Sequence, residues 1–213
     1  MKKLFFLLIV LNIIISLFSD VSASSALDKS NQSDFSDVLE SHKYYEAIKY
    51  VRSEGIVEGY VDGTYKPVQN INRAEFTKIV IESLYDKSEI LSSDKCFIDI
   101  KDEWFKIYVC FAKQQGIING YPDGTFKPAN NVNLAEALKI IFEARKIQID
   151  AVSGEMWYQK YINLAKGLDI FKTVNPNPTQ LVNRGEMAEI IYKIAEFFAN
   201  QKNPMDNAPP GFF

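Results

Sequence analysis

An internal repeat constrains this chain more than any other feature of its sequence. The segment GIVEGYVDGTYKPVQNINRAEF, residues 55–76, recurs 61 residues later as GIINGYPDGTFKPANNVNLAEA, residues 116–137. A weaker third copy, LAKGLDIFKTVNPNPTQLVNRGEM, covers residues 164–187 but lacks the Gly-Tyr-Pro-Asp-Gly loop. One such unit cannot bury its apolar face alone, so we expect the three copies to pack together.

Each copy is predicted to form a helix, a structured loop and a second helix. Apolar residues at helical spacing place the first helices over residues 44–54, 107–115 and 158–166. Glycine adopts the left-handed conformation beyond a helix end most readily, so each first helix is expected to end on one. These glycines are Gly55, Gly116 and Gly167.

The second helix of every copy begins with a capping signature. An asparagine can cap the helix, and a glutamate three positions later can bond back to the backbone of the cap. The predicted pairs are Asn72 with Glu75, Asn133 with Glu136, and Asn183 with Glu186. The aspartates of the preceding loops, Asp62 and Asp123, are expected to be turn residues.

The first residues of the chain read as an export signal. MKK is a basic start, an apolar run of about fifteen residues follows, and VSA offers Val21 and Ala23 at the small-residue positions of a cleavage site. The alternative is an uncleaved membrane anchor, although the run is short against the roughly 20 apolar residues that span a bilayer. No other segment of the sequence is long and apolar enough to span one.

These features divide the chain into five parts. Residues 1–23 are predicted to be a signal peptide, and residues 201–213, rich in Pro, Asn and Gly, a flexible tail. Between them lie repeat 1 (34–88), repeat 2 (95–148) and a degenerate repeat 3 (149–200). The predicted class is mainly α, with structured loops.

Charge and composition exclude several function classes. The net charge of −3, which becomes −4 without the predicted signal, argues against nucleic acid or an anionic membrane as the main partner. His42 is the only histidine, which removes Ser-His-Asp, Cys-His and two-histidine metal chemistry. No phosphate-binding glycine loop or calcium loop is present. We therefore expect no cofactor, no metal and no enzyme.

The loop and the helix start after it resemble those of the S-layer homology domain. GYPDGTF followed by an ITRAE-like helix start is the hallmark of that family, and the entry motif also matches, as Phe35-Ser36-Asp37-Val38 and Phe97-Ile98-Asp99-Ile100. The resemblance extends over nearly all of the chain after the predicted signal. It implies a pseudo-threefold helical bundle of three repeats with grooves between neighbours.

The same resemblance implies a function at the cell surface. Members of the family anchor exported proteins noncovalently to the cell wall. They bind secondary wall polysaccharides, often through acidic, pyruvylated sugars, and some contact peptidoglycan or other wall polymers. A secreted protein at the cell wall, with a wall polysaccharide or a peptidoglycan-linked glycan as partner, is the expectation.

Arginine at the first position of a helix needs an explanation, because it opposes the helix macrodipole. A ligand carboxylate near the first-turn N–H groups and the guanidinium would reverse that penalty. The resemblance assigns ligand contact to Arg73 and Arg184, whereas Leu134 holds the position in repeat 2 and predicts a silent groove. The alternative is a solvent-facing arginine paired with a nearby carboxylate.

Further ligand candidates come from aromatic and glycine residues, which commonly line sugar grooves. They are Gly59, Tyr60, Gly120, Tyr121, Trp104 and Trp157. For the two tryptophans, a place in the core is the alternative. We expect Arg73→Ala and Arg184→Ala to weaken wall binding while the fold survives, and Leu134→Arg to be the complementary test.

Cys96 and Cys110 are the only cysteines, and both lie in repeat 2. Export and an even count favour a disulfide, which would stabilise the fold by roughly 3 kcal/mol in the chain-entropy description. Two buried thiols are the alternative, and a zinc site is disfavoured because the lone histidine lies in another repeat.

Two other functions compete with wall-glycan binding. The first is a structural module that uses the repeats to assemble with other envelope proteins. The second is a glycan-cleaving enzyme, which needs two carboxylates facing one cleft at roughly 5 to 9.5 Å. Binding to purified wall polysaccharide without protein separates the first alternative from the glycan-binding module.

Overall fold

The computed structural model describes residues 35–91, 96–150, 153–172 and 176–200. The predicted signal peptide and the predicted tail lie outside these ranges. Within them are six α-helices and one 3-10 helix, and backbone pairing between extended segments is limited to isolated bridges. The helices are α1 (Tyr45–Ser53), α2 (Arg73–Leu84), α3 (Lys106–Gln114), α4 (Leu134–Ala144), α5 (Gln159–Gly167) and α6 (Arg184–Asn200), with the 3-10 helix Ile170–Lys172 before α6. The predicted mainly α class is confirmed.

The first helices end as predicted in two copies. Gly55 and Gly116, just beyond α1 and α3, have φ of +69° and +75°, the left-handed conformation expected of them. The prediction for Gly167 is wrong, because this glycine is the last residue of α5 and the left-handed residue is Asp169, with φ of +53°. The longer helix buries Leu168, whose N–H donates to the carbonyl of Leu164.

The predicted capping boxes form in all three copies. Each asparagine side chain accepts a hydrogen bond from the glutamate N–H, at 2.9, 2.9 and 2.8 Å along the chain. Each glutamate carboxylate accepts one from the asparagine N–H, at 3.3, 3.2 and 3.0 Å. These bonds satisfy N–H groups that a helix start would otherwise leave without a partner.

Each first helix packs against the second helix of the preceding repeat. In this way α3 packs on α2 and α5 on α4, while α1 of repeat 1 packs on α6 of repeat 3 and closes the cycle. Helix α2 also contacts α4. The apolar faces of these helices form one buried cluster that runs through all three repeats. The pseudo-threefold symmetry itself stays a prediction.

Backbone hydrogen bonds join the repeats in the same cyclic order. The N–H groups of Arg73 and Ala74, the first two residues of α2, donate to carbonyls in the loop of repeat 2. Equivalent bonds run from α4 to the loop of repeat 3 and from α6 to the loop of repeat 1, all between 2.8 and 3.1 Å. The first-turn N–H groups are therefore occupied within the protein. The prediction that they are exposed to a ligand carboxylate is wrong.

The entry motif organises the loop of its own repeat. The Asp37 carboxylate accepts hydrogen bonds from the N–H groups of Tyr65 and Lys66, both at 2.7 Å. Asp99 makes the equivalent bonds to the loop of repeat 2 at 2.8 and 2.7 Å. Because each carboxylate bonds two consecutive N–H groups, it fixes the loop at the residues that precede the loop proline.

The predicted disulfide is confirmed. Cys96 and Cys110 are bonded, with their Cα atoms 5.2 Å apart, and the described residues hold no free cysteine. The bond ties the entry segment of repeat 2 to α3. Among the described residues, no helix is long and apolar enough to cross a membrane.

Candidate functional site

Two matched grooves lie where the repeats meet. Groove 1 has a volume of about 670 Å³, and its lining includes Gly59, Tyr60, Glu75, Lys78, Trp104 and Arg184. Groove 2 has a volume of about 270 Å³, and its lining includes Gly120, Tyr121, Glu136, Lys139, Trp157 and Arg73. Each groove takes a glycine, a tyrosine, a glutamate and a lysine from one repeat, the tryptophan from the next repeat and the arginine from the preceding one.

All eight sequence-predicted ligand residues fall into these grooves, four in each. Each arginine, however, lies beside the loop of a neighbouring repeat and not beside the loop of its own repeat. Arg184 of repeat 3, for example, lies in the groove of repeat 1. Sequence reasoning missed the groove lysines, Lys78 and Lys139. The signal for them was present, since they stand 61 residues apart like the rest of the repeat.

Both arginines are buried and anchored in the same way. Arg73 Nε donates to the Phe126 carbonyl at 2.9 Å, and Arg184 Nε donates to the Tyr65 carbonyl at 2.7 Å. Each guanidinium also lies within 5 Å of the centroids of two loop aromatic rings, an attractive cation–π geometry. The alternative of a solvent-facing arginine paired with a carboxylate is wrong about the exposure, because the exposed fractions are 6% and 8%, but Arg73 does pair with a carboxylate, that of Glu136.

Leu134 occupies the equivalent place between repeats 2 and 3. It is buried with an exposed fraction of 1%. In repeats 1 and 2 an aromatic residue lies two positions before the loop proline, but Pro176 holds that position before Pro178 in repeat 3. An arginine therefore occurs where the facing loop supplies aromatic rings, and a leucine where it does not.

The two groove glycines have a structural reason to be glycine. Gly59 and Gly120 have φ of +79° and +72°, which disfavours any residue with a side chain. A Cβ at these positions would lie 2.2 Å from the ring of Phe35 and 2.3 Å from the ring of Phe97. The fold therefore explains why glycine is needed at both positions, and the backbone of these glycines lines the grooves.

The two tryptophans are exposed at the groove walls. Trp104 has an exposed fraction of 58% and Trp157 one of 52%, so the alternative of a core position is wrong for both. Each packs edge-to-face on the aromatic residue that follows it, at centroid distances of 5.2 and 5.6 Å. One face of an aromatic ring held in this way is available for stacking against a flat apolar surface.

The lysine of groove 1 belongs to a small network between α2 and α3. Lys78 forms an ion pair with Glu82, and the Tyr108 hydroxyl donates to the same carboxylate at 2.7 Å. The pKa of Tyr108 is raised to about 12. Burial is the largest cause, and the hydrogen bond to Glu82 and the negative charge of Glu82 raise it further. The protonated tyrosine is therefore the form that stabilises the fold.

This shifted pKa predicts a loss of stability at high pH. Because the folded-state value lies above the ordinary 10.0, the contribution of Tyr108 is fully present below pH 10 and is lost as the pH rises through about 12. Urea unfolding across that window should show a steeper decline for the wild type than for Tyr108→Phe. Equal declines would contradict the shift.

No metal site is found in the described part of the chain, where no group of three or more His, Cys, Asp or Glu residues could hold an ion. The turn aspartates are used locally: Asp62 and Asp123 each accept two bonds from the threonine two residues later. These bonds lower the pKa of both carboxyls, and the bond from the threonine hydroxyl is the largest cause in each case.

Comparison with known proteins finds relatives whose names refer to the cell surface, the cell wall or cellulosome anchoring. The chain is 36% identical to Cell surface glycoprotein 1 of Acetivibrio thermocellus over 133 residues, which are 58% of this chain and 6% of the relative. It is 30% identical to the Middle cell wall protein of Brevibacillus brevis over 147 residues, or 68% of this chain and 14% of the relative. It is 34% identical to the Cellulosome-anchoring protein of A. thermocellus over 116 residues, or 53% of this chain and 26% of the relative.

The chain thus spans only a small part of the length of these relatives. Comparison with protein families gives the more specific result, because it locates the similarity along the sequence. Residues 34–77 and 97–138 each match the S-layer homology domain, whereas the third repeat stays a prediction.

Proposed function

We propose that this chain is a non-catalytic cell-wall anchoring module that binds an anionic secondary wall polysaccharide in grooves 1 and 2. One observation carries the proposal: two grooves recur that share a glycine, a tyrosine, a glutamate and a lysine, and each is built from three repeats around a buried arginine and an exposed tryptophan. The two matches to the S-layer homology domain and the printed names of the relatives support it.

The groove chemistry suits a sugar chain. The exposed faces of Trp104 and Trp157 offer surfaces for the apolar faces of sugar rings, and Tyr60 and Tyr121 add hydroxyl groups beside them. A groove of about 670 Å³ lies within the range of pockets that bind small ligands, roughly 300 to 1,000 Å³. In groove 2, where the arginine and the lysine outnumber the glutamate, the excess of cations favours an anionic sugar over a neutral one.

We further propose that the protein is secreted and resides at the cell wall. A glycan with acidic groups, such as a pyruvylated wall polysaccharide or another glycan linked to peptidoglycan, is the partner of this proposal. All three repeats are needed for this binding, because groove 1 contains Arg184 of repeat 3 and groove 2 contains Trp157 of repeat 3.

Sedimentation with cell walls tests the proposal. Purified protein without the predicted signal should pellet with native walls, and should remain in the supernatant when the secondary polysaccharide has been extracted from the same walls. Arg184→Gln, checked for folding by circular dichroism, should reduce the pelleted fraction. Equal pelleting with intact and extracted walls would refute the proposal.

A structural module that assembles with envelope proteins remains the second candidate. It is favoured by the interface between repeats 2 and 3, where Leu134 replaces the arginine and Glu189 stands at the position of the groove lysines. Wall pelleting that survives polysaccharide extraction but is lost after protease treatment of the walls would support it.

A further inference from the structure

Each groove contains an arginine and the lysine of α2 or α4, and among the described residues one of these two cations in each groove is paired with a carboxylate. In groove 2, Arg73 Nη1 lies 2.9 Å from Glu136 Oε1, and the same oxygen accepts the Tyr121 hydroxyl at 2.8 Å. Lys139 has no carboxylate within ion-pair distance among the described residues, and its Nζ lies 5.6 Å from the centroid of the Trp157 ring.

In groove 1 the pairing is reversed. Lys78 is the paired cation, since it binds Glu82. Arg184 is anchored through Nε to the Tyr65 carbonyl, but no carboxylate of the described ranges lies within ion-pair distance of its terminal nitrogens. Glu75 stands where Glu136 stands in groove 2, and within the described ranges it bonds only its capping partner Asn72.

The charge around the two grooves differs in sign. The charged residues lining groove 2 are Arg73, Lys139 and Glu136, so cations exceed carboxylates by one. The lining of groove 1 has two more carboxylates than cations, with Lys78, Lys87 and Arg184 against Glu54, Glu58, Glu75, Glu82 and Asp86. A negatively charged ligand is therefore attracted more strongly to groove 2.

We infer that Lys139, and not Arg73, is the residue that binds the acidic group of the glycan in groove 2, and that groove 2 is the stronger anion site. This inference rests on the proposed function of the grooves. Glu136 already neutralises Arg73, so a ligand carboxylate gains little from that guanidinium unless it displaces Glu136. Lys139 has its charge available beside Trp157, where an acidic sugar stacked on the ring places its carboxylate within reach.

Two-dimensional NMR can follow the grooves separately. The backbone N–H signals of Gly59 and Gly120 report on grooves 1 and 2, and the probes are a pyruvylated hexoside and its neutral parent. For the wild type, we expect the Gly120 signal to respond at a lower concentration of the acidic probe than the Gly59 signal. The neutral parent should not distinguish the grooves in this way.

Lys139→Gln should weaken binding of the acidic probe at Gly120 by about tenfold, the effect of losing one charge-assisted hydrogen bond. It should leave Gly59 and the response to the neutral parent unchanged. Lys127→Gln is the matched control, since this lysine lies 4.2 Å from the ring of the groove residue Tyr121 but pairs with Asp123 and does not line the groove.

Two results separate the possible failures. An unchanged response of Gly120 in Lys139→Gln, or an equal loss in Lys127→Gln, would overturn the role of Lys139 while leaving the proposed function intact. A wild type in which neither glycine responds to either probe would overturn the proposed function as well.

Discussion

Arg73→Ala should lower the free energy of unfolding by about 4 kcal/mol, as expected when one partner of a buried, hydrogen-bonded ion pair is removed. The substitution removes the bond to the Phe126 carbonyl and leaves the Glu136 carboxylate, whose side chain is 17% exposed, without its cation. It also removes the contact with the rings of Tyr121 and Phe126. Urea unfolding followed by circular dichroism measures the change.

Lys127→Ala provides the control for this substitution. It removes a positive charge from the loop that holds the Arg73 side chain, but from an exposed ion pair with Asp123, whose contribution is about 0 to 1 kcal/mol. A loss for Arg73→Ala no larger than for Lys127→Ala would contradict the structural role of the arginine. The sequence analysis expected the fold to survive Arg73→Ala. The contacts of Arg73 predict instead that this variant is strongly destabilised.

Gly185→Ala should lower the free energy of unfolding by about 3 kcal/mol, the upper range for overpacking a core. A Cβ on Gly185 would lie 2.2 Å from Cδ2 and 2.6 Å from Cε2 of Tyr44. Tyr44 is buried with an exposed fraction of 2%, so its ring cannot swing into solvent to relieve the contact. The contact joins repeat 3 to repeat 1, and the substitution therefore tests the closure of the cycle.

A double-mutant cycle separates this contact from local helix effects. Tyr44→Ala removes the ring that a Cβ at position 185 would meet, so the destabilisation by Gly185→Ala should largely disappear in the Tyr44→Ala background. The other repeats carry Ala74 and Ala135 at the same position, which shows that a helix of this kind accepts alanine there. Additive effects of the two substitutions would contradict packing of Tyr44 on α6.

The local parts of the fold could be predicted from the sequence. The capping boxes and the ends of α1 and α3 depend on residues within a few positions of one another, and all three capping boxes form as expected. Gly167 was misassigned because the burial of Leu168 by tertiary packing, and not the local preference of glycine, decides where α5 ends.

The partners of the site residues could not be predicted, because they come from other repeats. The sequence identified Arg73 and Arg184 as unusual for a helix start, but not that each is held by the loop of the next repeat in the cycle. Nor does periodicity reveal that Glu136 pairs with Arg73 while Glu75 leaves Arg184 unpaired in the described structure. These differences arise from three-dimensional contacts between copies that look equivalent in sequence.

Tryptophan fluorescence tests the central claim most directly. The chain has two tryptophans, one exposed in each groove, so all tryptophan emission comes from the proposed binding sites. Titration with purified, protein-free wall polysaccharide should change that emission in a saturable way, and Arg184→Gln combined with Lys139→Gln should abolish the change. If sedimentation shows that the protein binds the polysaccharide while its tryptophan emission stays unaltered, glycan binding in these grooves is contradicted.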